Sequence, residues 1–172
     1  MNWTRYFSVP AVVFLGLLLT GCFEENVTPL RIGAMAPPST LTLLTGETRE
    51  VTDHPGQAQV ITFMASWCPC SKDSIPFIKK AYKRYNSGTE STIAFLMIGI
   101  QSPEQKFADV AGKWRVPFPV GYDDGDRIAR VYGISAPPTT VFIDREGTVR
   151  RVFYGNIKDK EEDFFKWTSE LL

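Results

Sequence analysis

Cys68-Pro69-Cys70-Ser71 is the stretch of this sequence best equipped for chemistry. Two cysteines separated by one proline, with Cys22 as the one other cysteine of the chain, could exchange disulfides or clamp a soft ion such as Cu(I). Their surroundings favour a reactive thiol over a pair of inert core cysteines. Val60 and Met64 bound a short apolar run typical of a buried strand, and after Ser71 the apolar Ile75, Ile78, Ala81, Tyr82 and Tyr85 recur at helical spacing. The cysteines therefore sit where a strand hands over to a helix. There the unpaired backbone N–H groups and the positive end of the helix dipole favour thiolate, the nucleophile of disulfide exchange.

The spacing is short for a dithiol. Residues i and i+3 of a helix share a face, whereas i and i+2 lie about 200° apart around its axis. Their Cα atoms can fall within the ~4.4–6.8 Å that a disulfide allows, but their Cβ vectors diverge. A Cys68–Cys70 bond thus needs a non-helical Cys68-Pro69-Cys70 or accepts strain, and a strained disulfide is labile and oxidising. Cys68 acting alone through mixed disulfides remains the variant of this reading.

The elements that must hold these residues follow from the rest of the pattern. Residues 41–44 and 47–51 read as a hairpin around Thr45-Gly46, and 60–64 as a buried strand. A helix runs from about Ser71 to Tyr85 and stops at Asn86-Ser87-Gly88. Residues 93–100 form the most apolar strand; Ser102 is expected to cap the next helix with Pro103 at its first position. Residues 118–122 read as a short strand and 126–132 as a short helix ended by Gly133. Residues 139–143 and 149–154 form a hairpin about Asp144-Arg145-Glu146-Gly147, and an amphipathic helix covers 159–172. Alternating strands and helices followed by a hairpin imply an α/β fold: a mixed sheet with helices on both faces and an N-terminal hairpin. Sites gather at the carboxyl ends of strands in such sheets, which is where the cysteines fall.

The N-terminal segment is separate. Residues 7–19 are an apolar run too short to span a bilayer but suited to a signal peptide, and Leu19-Thr20-Gly21-Cys22 resembles the bacterial lipobox. The expected organisation is a lipoprotein signal peptide at 1–21, lipidation at Cys22, a tether over 22–31 and one domain over 32–172. A lipidated Cys22 is lost to redox chemistry, and export places the domain where disulfides persist. Lys plus Arg and Asp plus Glu balance at 19 each, giving no reason to expect a nucleic acid partner.

The chain resembles the thioredoxin superfamily, especially its TlpA-like membrane-anchored thiol-disulfide oxidoreductases. The likeness rests on residues 63–69 (FMASWCP), Pro76, Phe118-Pro119-Val120, Tyr132-Gly133-Ile134 and residues 138–144 (PTTVFID). It implies a thioredoxin-like fold, Cys68 as attacking thiol, and Pro138 as a cis-proline facing it. Trp67, Pro137 and Pro138 would meet the substrate, with no cofactor and no metal. Family spacing puts a second cysteine where Ser71 stands; deleting one residue lets Cys70 serve as the resolving thiol and moves Asp73 near the site. Pro137 lacks the N–H that the family offers to a substrate polypeptide at this position. The implied partners are a protein disulfide or dithiol, a second redox protein and a membrane, with the domain a monomer of the cell envelope. Peroxiredoxins share the fold but look for threonine and proline where this chain has Ala65 and Ile61. The remaining alternative, soft-metal binding through Cys68 and Cys70, finds few further ligands; His54 reads as a surface histidine and Asp123-Asp124-Gly125 as a turn.

Overall fold

A computed structural model describes residues 29–53, 56–88 and 93–172. The expected signal peptide, Cys22, most of the tether, and His54 lie outside the described residues. In the rest, the elements run β1 (Thr40–Leu43), β2 (Thr48–Glu50), β3 (Ala58–Met64), α1 (Pro69–Tyr85), β4 (Ile93–Gly99), α2 (Glu104–Trp114), β5 (Val120–Tyr122), α3 (Arg127–Val131), β6 (Thr139–Ile143), β7 (Val149–Tyr154) and α4 (Glu161–Ser169). Short 3-10 turns at Asp124–Asp126 and Ile157–Lys160 lead into α3 and α4.

Among the described residues the strands form one sheet in the order β2-β1-β5-β4-β3-β6-β7. β3 pairs parallel with β4 and antiparallel with β6, β4 pairs parallel with β5, and both hairpins are antiparallel. Every residue of β3 is buried, as expected for a strand covered on both faces. One face carries Val60, Met64, Phe95, Met97 and Phe142 against Ile75 and Ile78 of α1, Phe107 of α2 and Phe164 of α4. The other carries Ile61, Phe63, Leu96, Ile98 and Val141 against Ile128 and Ala129 of α3 and Tyr132. The mixed sheet with helices on both faces is the arrangement that the alternation implies.

The pairing decides where the site can be. Met64 at the end of β3 lies opposite Gly99 at the end of β4, and Phe63 lies opposite Thr139 at the start of β6. Three segments remote in sequence therefore leave the sheet at one edge: residues 65–68, residues 100–103, and the loop 135–138.

Gly99 makes the second of these close. A Cβ there would stand 2.3 Å from Cδ1 of Phe107, whose ring is fully buried. Gly99→Ala is expected to cost about 1–3 kcal/mol by overpacking. Urea unfolding measures it, and a loss below about 0.5 kcal/mol would contradict the packing argument.

Some boundaries differ from expectation for visible reasons. Ser102 does not cap α2: its hydroxyl faces the backbone N–H of Ser66 at 2.9 Å, while Pro103 takes the N-cap position and the helix begins at Glu104. Asp126 has φ 55° and cannot be helical, so α3 starts at Arg127, and Gly133 (φ 63°) closes its end as expected. Lys160 (φ −134°) delays α4 to Glu161. The β6–β7 turn is held by Asp144, whose carboxylate accepts the N–H groups of Glu146 at 3.0 Å and Thr148 at 2.8 Å and pairs with Arg150.

Candidate functional site

Cys68 is the N-cap of α1, with φ −86° and ψ 115°, and Pro69 follows as the first helical residue. Its carbonyl accepts from Ser71 N at 3.1 Å, closing the first turn, but its side chain makes no capping bond. The sulfur is left for other work: half-buried, it points at the carbonyl oxygen of Pro137, 3.8 Å away. Cys70, the second residue of α1, is exposed. Its thiol is raised above the usual cysteine range, first by desolvation, then by the charge and hydrogen bonding of Cys68 and by the charge of Asp73. Both thiols are free. With Cys68 extended but Pro69 and Cys70 helical, only one of the three residues has the non-helical backbone that an unstrained Cys68–Cys70 bond requires.

Ser71 stands where the resemblance puts the second cysteine. Three residues after Cys68, it is completely buried on the inner face of α1, and its hydroxyl accepts the N–H of Ala65 at 3.2 Å. The position where a conventional second cysteine would stand is thus filled by a structural hydroxyl, and Cys70 lies outside it.

The aromatic and proline residues expected at the site are there. Trp67 is 60% exposed beside Cys68, and its indole N–H donates to Gln101 O at 2.6 Å. The Pro137-Pro138 bond is cis. Around it the carbonyls are spoken for: Ser135 O accepts from Gln101 Nε2 at 2.9 Å, Ala136 O from the Thr139 hydroxyl at 2.6 Å, and Pro138 O from Gly155 N at 2.9 Å. Pro137 O faces the thiol. Cys68, Cys70, Trp67, Pro137 and Pro138 thus converge, whereas Cys22 lies outside the described residues.

Sequence reasoning missed the residues that hold this edge together. Gln101 (φ 48°) anchors Trp67 through its carbonyl, the 135–138 loop through its side chain, and the carboxylate of Asp126 through its N–H at 2.8 Å. Ser66 and Ser102 pair hydroxyl to hydroxyl at 3.1 Å. Ser74, fully buried, lies 2.8 Å from Cys70 O, 3.1 Å from Asn156 Oδ1, and accepts Ile157 N–H. The one available signal was positional: Gln101 and Ser102 sit just past the carboxyl end of a parallel strand. Asp123 belongs to the α3 cap: it is buried and accepts from Ile128 N and Ala129 N. Among the described residues no group of three or more His, Cys, Asp or Glu is placed to hold a metal.

Comparisons with known proteins agree on the fold. The sequence model described as AhpC/TSA family matches residues 32–152. The chain is 26% identical over 148 residues to a protein of Geobacillus thermodenitrificans named thiol-disulfide oxidoreductase ResA, covering 86% of this chain and 83% of the relative. It is 27% identical over 168 residues to the protein of that name from Halalkalibacterium halodurans, covering 95% and 92%. A solved thiol:disulfide interchange protein of the thioredoxin family from Chlorobium tepidum superposes with a TM-score of 0.69 at 21% identity, covering 82% of this chain and 97% of that one. The fold is thioredoxin-like.

Proposed function

The chain belongs to the AhpC/TSA family, and on that premise we propose that it catalyses thiol-disulfide exchange with Cys68 as nucleophile and Cys70 as resolving thiol. The observation carrying this is the Cys68 sulfur, at the N-cap of α1 without a capping bond and two residues from a second free thiol. The names of the relatives at 26–27% identity support it. The thiolate of Cys68 attacks one sulfur of a substrate disulfide; that S–S bond breaks, a Cys68–substrate disulfide forms, and the substrate's other sulfur leaves as thiolate and takes a proton from water. Deprotonated Cys70 then attacks the Cys68 sulfur, releasing the second substrate thiol and leaving a Cys68–Cys70 disulfide. Two electrons pass from the protein to the substrate. A partner dithiol of higher reducing power returns them, and with partners of opposite poise the sequence runs backwards. Peroxide chemistry is less well supported, since Ala65 brings only a methyl group three residues before Cys68.

The first test is reduction of 2-hydroxyethyl disulfide by the full chain in detergent, with dithiothreitol as electron source. Turnover above that of dithiothreitol alone supports the reading; its absence ends it.

The raised Cys70 thiol gives the reaction a pH signature. A raised pKa keeps Cys70 protonated at neutral pH, and the attacking thiolate gains as pH rises. In the mixed disulfide the charge and hydrogen bonding of Cys68 are lost, while desolvation and the charge of Asp73 still raise Cys70, so collapse is expected to accelerate about tenfold per pH unit up to and beyond the ordinary cysteine range. Single-turnover release of the second thiol reads this directly, and a rate flat in pH would remove Cys70 from the resolving role.

The domain reading accompanies the chemistry: signal peptide 1–21, lipid on Cys22, tether 22–31, and a 32–172 domain held outside the cytoplasm against a membrane. It is supported by the lipobox-like Leu19-Thr20-Gly21-Cys22. Palmitate labelling that disappears in Cys22→Ser, with release of the protein from membranes, is the expected result.

A further inference from the structure

We propose that Pro137 makes the 137–138 side of the substrate groove acceptor-only, so that this loop takes a single backbone hydrogen bond from a polypeptide substrate and returns none; this rests on the exchange reading of Cys68. In the 135–138 loop, Ser135 O, Ala136 O and Pro138 O are all occupied from within the protein. Neither Pro137 nor Pro138 has an N–H to offer. The group left facing the site is Pro137 O, 3.8 Å from the Cys68 sulfur and bonded to nothing there except that thiol.

This pairing changes during the reaction. The Cys68 thiol is the donor to Pro137 O; its proton leaves when the thiolate forms and does not return once Cys68 is joined to a substrate sulfur. Pro137 O is then an unpaired acceptor within a few ångströms of the substrate cysteine, whose own N–H is the nearest donor a polypeptide can supply. Taking it restores the bond. Strand pairing would need a donor from the protein at the same residue, to meet the substrate carbonyl opposite, and proline forbids it. Trp67, exposed and fixed by Gln101, adds an apolar wall without polar demands.

The substrate class follows. The groove suits disulfides carried on flexible or terminal segments, whose carbonyls can stay with water. It disfavours cysteines that must be held as a paired strand, because a substrate carbonyl buried there would lose its partner. Pro137 is thus a specificity-determining contact.

The test uses the reduced full chain in detergent and three disulfides: acetyl-Ala-Cys-Ala-amide as its symmetrical disulfide, the same peptide with the cysteine N–H replaced by an ester oxygen, and 2-hydroxyethyl disulfide. Each rate is divided by the rate of that compound with dithiothreitol, which removes intrinsic reactivity. The ester is expected to lower kcat/KM by about 3- to 10-fold, the range of one lost hydrogen bond. In Pro137→Ala, which regains an N–H, kcat/KM for the amide peptide relative to 2-hydroxyethyl disulfide is expected to rise by about the same factor. An ester as good as the amide, or an unchanged ratio in Pro137→Ala, overturns the proposal while leaving exchange intact. Failure to reduce 2-hydroxyethyl disulfide overturns the exchange reading itself and this proposal with it.

Discussion

Cys68→Ser is expected to lower turnover of every disulfide substrate by at least about 10³-fold while leaving the domain as stable as before or more so. A serine hydroxyl is a poor nucleophile without an adjacent base. The only histidine of the chain, His54, lies outside the described residues. The stability half separates chemistry from folding. Cys68 holds the N-cap of a 17-residue helix without making a capping bond. Serine is among the preferred N-cap residues, worth about 0.5–2 kcal/mol over a side chain that cannot cap. An inactive variant whose urea midpoint is equal or higher therefore places the loss on the sulfur. Retained activity would move the nucleophile elsewhere, and a markedly lower midpoint would mean that the sulfur carries structure that the geometry does not reveal.

The second large effect concerns the partner of Cys68. Cys70→Ser is expected to stall at the mixed disulfide and cut turnover on the order of 10²-fold, because an intramolecular thiol acts at an effective concentration that a dissolved thiol cannot match. Adding Ser71→Cys to that background is expected to recover much of the loss. Residue 71 is three after Cys68, on the face where an N-cap side chain and the third helical residue meet, so this pair closes with little backbone change. The replacement gives up the Ser71 hydroxyl's bond to Ala65 N–H, a cost of about 1 kcal/mol. The relocated pair is also expected to be more reducing than the native one by about 30 mV or more, equivalent to about 1.4 kcal/mol less strain in the bond. Equal midpoints would mean that the first turn of α1 rearranges freely when Cys68 and Cys70 join. No change in turnover on Cys70→Ser would leave Cys68 as a lone thiol.

Much of this was legible in the residues. The β6–β7 hairpin has the bounds that its alternation and its Asp144-to-Gly147 turn suggest, because both signals are local. Cys68 and Pro138 were legible through the resemblance of their flanks, and Cys68 also through the strand-to-helix junction. What escaped is what the sheet brings together across the chain. Gln101 reaches Trp67 and Ser135, each 34 residues away, and Ser102 reaches Ser66 across 36; no periodicity encodes such pairs. Ser102 misled because a serine before a proline looks like a cap, and only the position of Ser66 shows where its hydroxyl is used. The standing of Ser71 was open for a related reason. Sequence offered two registers for the second thiol, and the difference in surroundings, Ser71 buried and Cys70 exposed, comes from packing that no local pattern encodes.

The claim that Cys68 and Cys70 form the working redox pair is tested most directly by peptide mass. The full chain in detergent is equilibrated across a series of glutathione buffers, trapped with an alkylating reagent and digested with trypsin. The peptide from Glu50 to Lys72 contains both cysteines and no internal lysine or arginine. As the buffer becomes oxidising, this peptide is expected to pass from doubly alkylated to unalkylated and two hydrogens lighter, along a single two-electron midpoint. A peptide that stays doubly alkylated, or one that gains glutathione on Cys68 while Cys70 is still alkylated, would contradict the account.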